Sequence, residues 1–173
     1  MDVILVDEHD NEIGAMGKME VHEKAILHRA FSIFVFNDKG ELLLQKRAAT
    51  KYHSAGLWTN SCCSHPRPGE ETLPAAQKRL EEEMGFTTKL SKAFAFIYKA
   101  PFDNGLTEHE YDHVYTGIYS GLIQPDPNEV SEYCYRPLRE IKNSIESHPG
   151  HFTEWFKIAL PKLEAHLEFQ KGL

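Results

Sequence analysis

Cysteine, net positive charge and long apolar runs are all scarce in this chain, and each shortage removes a class of protein. The three cysteines, Cys62, Cys63 and Cys134, are odd in number and two are adjacent, which is not the framework of a disulfide-stapled secreted domain. A reducing, cytoplasmic setting is expected. The formal net charge of -7 lacks the clustered Lys and Arg that counterion release requires, so a general nucleic-acid binder is not expected. An anionic substrate would need a local basic pocket. No stretch is apolar for long enough to span a bilayer, so no membrane partner is expected. Met1 to Asp10 alternates apolar and acidic side chains and lacks the basic leader and apolar core of an export signal. Repeats, low-complexity tracts and linkers are missing too, the glycines and prolines being dispersed as punctuation. At 173 residues and 41% hydrophobic content the chain can bury one sizeable core, and a single domain over residues 1–173 is expected.

The segments Ser32–Phe36 and Glu41–Gln45 flank Asn37-Asp38-Lys39-Gly40 and read as two strands joined by a tight antiparallel turn. Pro74 to Met84 is rich in helix formers, with a proline suited to a first turn and Gly85 where a helix would stop. Strand patterns recur at Ala93–Tyr98 and Val114–Tyr119. Helical patterns return at Leu138–Ile145 and Thr153–Phe169, the second expected to be interrupted at Pro161. Strands and helices mixed in this order predict an α+β or α/β layered fold.

His22, His28, His65, Glu108 and Glu110 fall beside predicted strands or turns rather than along one helical face. Taken singly, each has a plainer explanation: a histidine satisfied in the core or on the surface, or a solvated pair of glutamates. Their spacing changes the balance. Residues two apart in a strand face the same side, so Glu108 and Glu110 can aim both carboxylates at one point while His109 faces away. Three imidazoles and two carboxylates exceed the four ligands of a closed zinc site and suit a six-coordinate divalent ion, with zinc, manganese or magnesium possible.

In Trp58-Thr59-Asn60-Ser61-Cys62-Cys63-Ser64-His65-Pro66 a thiol lies two residues before one of these histidines, so Cys63 and His65 share a face if the backbone is extended. Either adjacent thiol could point inward, and alternation with His65 selects Cys63. Cys134, with no such neighbours, reads as an inert buried thiol. Together with Leu27-His28-Arg29-Ala30-Phe31-Ser32 and Glu108-His109-Glu110-Tyr111, this string closely resembles the type I isopentenyl diphosphate isomerases. The resemblance runs from about Lys18 to Trp155, with one residue fewer between His22 and His28 than in some members of that family.

The resemblance implies a Nudix-like mixed sheet flanked by helices. A degenerate Nudix box can be traced from Ser64 through Glu70, Lys78, Arg79, Leu80, Glu82 and Glu83 to Gly85 and Phe86. Ser64 replaces the first glycine of the box and Arg79 replaces the glutamate that follows its arginine, which argues against diphosphate hydrolysis. The implied reaction interconverts isopentenyl and dimethylallyl diphosphate by protonation and deprotonation through a tertiary carbocation. The resemblance assigns proton transfer to Cys63 and Glu110 with Tyr98 assisting, and sets Trp155 against the cation, although Trp155 alone would pass for a core aromatic.

By the same resemblance, the five ligands hold one divalent ion. Lys18, Arg47, Lys51 and Arg79 bind the diphosphate, and Glu83 helps bind a second, magnesium ion that bridges the phosphates. The small-molecule substrate is the expected partner, and the chain is expected to be a monomer or weak dimer. Two competing functions are a Nudix hydrolase of a nucleoside diphosphate derivative, which would release phosphate, and a non-catalytic binding domain, which would tolerate loss of Cys63.

Overall fold

The computed structural model describes residues 1–102 and 104–172. Its centre is strand β3 (His28–Phe36). One edge of β3 is taken over its whole length by β8 (Thr107–Ile118), running parallel from His28 opposite Glu110 to Phe36 opposite Ile118. The other edge is shared in turn by three antiparallel partners. These are β1 (Asp2–Val6) at Leu5 opposite His28, β6 (Cys62–Ser64) opposite Phe31 to Ile33, and β4 (Leu42–Arg47) at Phe36 opposite Leu42. Beyond these, β2 (Glu12–Gly17) pairs with β1, β7 (Leu90–Pro101) with β8, and both β5 (Trp58–Thr59) and β9 (Val130–Arg136) with β4.

Alternation along β3 divides the molecule. Phe31, Ile33 and Val35 face one side and pack with Leu80 and Met84 of α2 (Thr72–Met84), while Phe34 faces the other and packs with Phe156, Leu160 and Leu163 of α4 (Glu154–Lys171). The result is a mixed sheet between helices, α+β as expected, with α3 (Leu138–Ser147) on the α4 side through Ile141. On that side His28 and Ser32 precede Phe34 along β3, and Glu108, Glu110 and Asp112 precede Val114 along β8. A single strand face therefore changes from polar to apolar along its length, and the polar end is where the site forms.

Asn37–Gly40 joins β3 and β4 by a tight antiparallel turn as expected, with Asn37 N donating to Glu41 O (3.0 Å), but the ladder goes no further than Phe36 opposite Leu42. Asn60 and Ser61 are wedged between the diverging strands instead. The Ser61 hydroxyl donates to Leu43 O (2.7 Å) and accepts from Val35 N (2.8 Å), and Asn60 Nδ2 donates to Ile33 O (3.0 Å). Splaying the hairpin makes room for β6 against β3. Other expectations are corrected. Helix α4 runs through Pro161 without a break, because Pro161 lies on the exposed face, where water can satisfy the carbonyl that loses its partner. His22 sits neither on a strand nor in a turn but in the short helix α1 (Lys18–Lys24), which β2 delivers directly and Ala25, in the left-handed region at φ 56°, terminates. Gly85 ends α2 as expected. Its φ is 74°, and a Cβ there would meet Gln124 O at 2.2 Å, so both backbone shape and space demand glycine.

Candidate active site

Glu110 stands between His28 of β3 and Tyr98 of β7, its cross-strand neighbours on either side. Tyr98 donates its hydroxyl hydrogen to Glu110 Oε1, while Oε2 lies 2.6 Å from His65 Nε2 and 3.3 Å from His28 Nε2. Glu108, two residues earlier on the same strand face, approaches His22 Nε2 at 3.8 Å, and His109 turns away to the Ala25 carbonyl. Both glutamates are almost fully buried, and His22 and His28 completely so.

Each of those two imidazoles is anchored from behind. His22 Nδ1 donates to Lys18 O (2.6 Å) one helical turn earlier, and His28 Nδ1 donates to Ile26 O (2.8 Å). That fixes the tautomer, leaving the Nε2 lone pairs to face inward, the arrangement usual for metal-binding histidine. His22 Nε2, His28 Nε2 and Glu108 Oε2 are buried with no hydrogen-bond partner, as suits atoms that a cation would satisfy. Ligand atoms of His22, His28, His65 and Glu110 lie within 4.8 Å of one another, and a second group joins His22 and Glu108 to His53. The donor set fits a divalent cation.

Electrostatics agree. Burial lowers the His65 pKa well below its usual value, with the neighbouring His28 adding to the effect, so its lone pair stays available. Burial raises Glu108, helped by the charge of Glu110. For Glu110 itself, burial is outweighed by His28, Glu108 and Tyr98, which hold it below the usual carboxyl range. At His22, burial is likewise outweighed, by Glu108 and the Lys18 carbonyl, and its pKa rises. The carboxylates thus draw positive charge into the cluster.

Cys63, on β6 opposite Ser32, reaches the same pocket, while Cys62 is sealed in the core on the α2 side. Alternation therefore selects Cys63, as expected. Its Sγ donates to Asn60 Oδ1 (3.1 Å) and lies 3.6 Å from Ser32 Oγ, which itself donates to the buried Asp112 (2.7 Å). Burial and the Asp112 charge push the thiol far above its usual pKa, so it holds its proton at neutral pH. Trp155 closes the pocket from the start of α4. Thr153 caps that helix, accepting from Phe156 N, and its hydroxyl donates to Thr59 of β5 (2.9 Å), which ties the tryptophan to the sheet.

The basic residues line the same pocket, with Arg47 Cζ 5.1 Å from the Trp155 ring and Lys18 Nζ 5.0 Å from the Tyr52 ring. Burial and the charges of Lys51 and Arg47 lower the Lys18 pKa, as expected of a cation crowded by others. Lys51 pairs with Glu129, and Arg79 pairs with Glu83 (2.6 Å), Glu82 and Glu129 (both 3.2 Å). A guanidinium therefore occupies the α2 face that would otherwise gather carboxylates.

Of the site residues expected from sequence, Cys63, His65, Tyr98, Glu108, Glu110, Trp155, Lys18, Arg47, Lys51, Arg79 and Glu83 line one pocket, with His22 and His28 buried behind it. Sequence reasoning missed His53, Tyr52, Gln45, Glu129 and the Ser32–Asp112 pair. Asp112 continues the alternation of Glu108 and Glu110 and could have been found by extending it. The others come from loops and neighbouring strands whose convergence has no local signal.

The family model of the NUDIX domain matches residues 26–156. Among solved structures, a protein of Deinococcus radiodurans superposes with a TM-score of 0.77 at 17% identity, covering 94% of this chain and 98% of its own. A MutT protein of Methanosarcina mazei superposes with 0.66 at 18% identity, covering 80% and 94%. The chain is thus a Nudix-fold protein. Among curated relatives, isopentenyl-diphosphate Delta-isomerase 2 of Photorhabdus laumondii is 56% identical, covering 90% of this chain and 88% of its own. The isopentenyl-diphosphate Delta-isomerase of Serratia proteamaculans is 49% identical, covering 95% and 92%. The chain belongs to the isopentenyl-diphosphate Delta-isomerase family, enzymes that interconvert isopentenyl and dimethylallyl diphosphate. Among the described residues no helix is long and apolar enough to cross a membrane.

Proposed function

We propose that Cys63 and Glu110 carry the two protons of this isomerisation. The observation that supports this assignment most is their placement: they come from strands on opposite edges of β3 and open into one pocket. Forming dimethylallyl diphosphate requires a proton to be added to the terminal methylene and another to be lost from the carbon on the far side of the branch point. One group delivers while the other accepts, and the reverse reaction exchanges their roles. Tyr98 steadies Glu110 and moves a proton at its Oε1. Trp155 faces the tertiary cation with its indole ring, and the aromatic wall excludes the water that would quench it.

A divalent ion of zinc, manganese or magnesium would be held by His22, His28, His65, Glu108 and Glu110. When bound it supplies fixed positive charge beside Glu110. Lys18, Arg47, Lys51 and Arg79 bind the diphosphate. Taking Lys51 and Arg79 leaves Glu83 and Glu129 facing the phosphates, a repulsion that a magnesium ion carried in with the substrate and shared with Glu83 would remove. The chain acts as one cytoplasmic domain on this small molecule alone, a reading supported by three cysteines that are all unpaired.

Turnover of isopentenyl diphosphate in deuterated water, followed by NMR, tests the assignment. The protein is expected to place solvent deuterium in the new methyl group of dimethylallyl diphosphate, and Cys63→Ala to abolish that signal. A Cys63→Ala protein that turns over at an undiminished rate would remove the thiol from the mechanism, and release of phosphate without an allylic product would favour hydrolysis.

A further inference from the structure

The five expected metal ligands form two overlapping groups, and a residue outside that set joins one of them. His53 lies on the loop between β4 and β5, is 7% exposed, and presents a ligand atom within 4.8 Å of those of His22 and Glu108. The loop holds it firmly. Its ring stacks on Phe102 (centroids 4.7 Å apart, planes at 15°) and meets Trp155 edge-on (5.7 Å), and its carbonyl accepts from Arg47 Nη2 (3.2 Å).

The atoms His53 faces are the ones left unsettled. His22 has only Nε2 free, because Nδ1 is committed to the Lys18 carbonyl, and both that Nε2 and Glu108 Oε2 are buried without a partner. The single N–H of a neutral imidazole can reach only one of these two atoms. A cation among the three satisfies all of them at once.

We propose that His53 is a further ligand residue of the metal centre, joining it through His22 and Glu108. The proposal rests on the metal-centre reading given above and adds to it a fourth imidazole. A site with four imidazoles and two carboxylates shifts preference away from magnesium, which favours oxygen, and toward zinc, cobalt or nickel. His53 is thereby a determinant of which metal the enzyme carries.

The test uses the full chain stripped of metal, alongside His53→Phe, which keeps the ring contacts with Phe102 and Trp155 but removes the nitrogen. His53→Ala serves as a second variant and His28→Ala as a control, each checked for folding by circular dichroism. Zinc and magnesium affinities are measured by competition, and the visible bands of added cobalt(II) report the ligand set without reference to turnover. The expected result is altered cobalt bands and at least a tenfold loss of zinc affinity in both His53 variants, the scale on which losing even an outer partner acts (about 10–100-fold). Magnesium affinity should change far less. Unchanged bands and zinc affinity in both variants, with binding lost in His28→Ala, would overturn the role of His53 while leaving the metal centre intact. Absence of metal binding by the unmodified chain would overturn both.

Discussion

On the histidine side of the pocket, His22 Nε2, His28 Nε2 and Glu108 Oε2 are buried near one another with no partner. On the lysine and arginine side, two of the four cations are already paired, Arg79 with Glu83 and Glu129 and Lys51 with Glu129, while among the described residues Lys18 and Arg47 have no carboxylate partner. Each orphaned buried atom costs about 1–3 kcal/mol, a penalty on the histidine side that a bound cation would relieve. The basic side is mixed: Arg47 Nε is also buried without a partner, whereas at Lys51 and Arg79 an arriving anion must displace carboxylates already in place. One half is built to be completed once and kept; the other is built to exchange partners in every cycle.

Two substitutions probe this contrast most sharply. Glu110→Gln keeps the shape of a side chain that touches Tyr98, His65 and His28, but removes the proton acceptor, and kcat should fall by about 10²–10⁴. Arg79→Ala removes a cation from the exchanging side, and the loss should appear in KM, lowering kcat/KM by about 10–100-fold, the worth of one charged hydrogen bond at about 1.5–3 kcal/mol. Steady-state kinetics on both variants would break the comparison if the two effects fell on the opposite parameters.

Chelation should separate the halves thermodynamically. Because His22 Nε2, His28 Nε2 and Glu108 Oε2 are orphaned on the histidine side, stripping the metal should lower the melting temperature, and restoring it at about 100 times its Kd should return about 2.7 kcal/mol of stability. Inorganic diphosphate added without metal should stabilise much less, since it must first break the Lys51 and Arg79 pairs. Calorimetric scans with each ligand alone check this, and equal stabilisation by both would contradict the distinction.

How much of this was legible in the sequence follows the same divide. The strand-borne donors were readable because alternation is a local rule: His28, Glu108 and Glu110 project from neighbouring strands, and Cys63 and Cys62 are sorted to opposite faces by it. His22 was recognised as a ligand but not as helical, since α1 is only seven residues and is held by a backbone bond from Lys18 N to Met1 O as much as by propensity. The splayed hairpin was illegible because its cause, the Asn60 and Ser61 side chains, lies far along the chain. His53 was missed for a similar reason, since its meaning comes from Phe102 and Trp155 on either side of it. The resemblance to a known family supplied what alternation could not, the gathering of Lys18, Arg47, Lys51 and Arg79 from four separate segments.

The smallest effect concerns Glu129, which holds two of these cations while the diphosphate is away. Burial works to raise its pKa, but Lys51 and Arg79 outweigh burial and leave it depressed in the folded state. A depressed carboxyl contributes stability above its unfolded pKa and loses that contribution as the pH falls through the lower, folded value. Glu129→Gln should therefore destabilise the protein at neutral pH, and the gap should close in acid, where the unmodified side chain is also neutral. The carboxylate side chain is 25% exposed, and solvent screening limits the gap to about 0.5–1 kcal/mol. Urea midpoints of both proteins across the acid range measure it. A gap that widens as the pH falls would mean that Glu129 is not held by these cations, and the basic side would then be less settled than its geometry indicates.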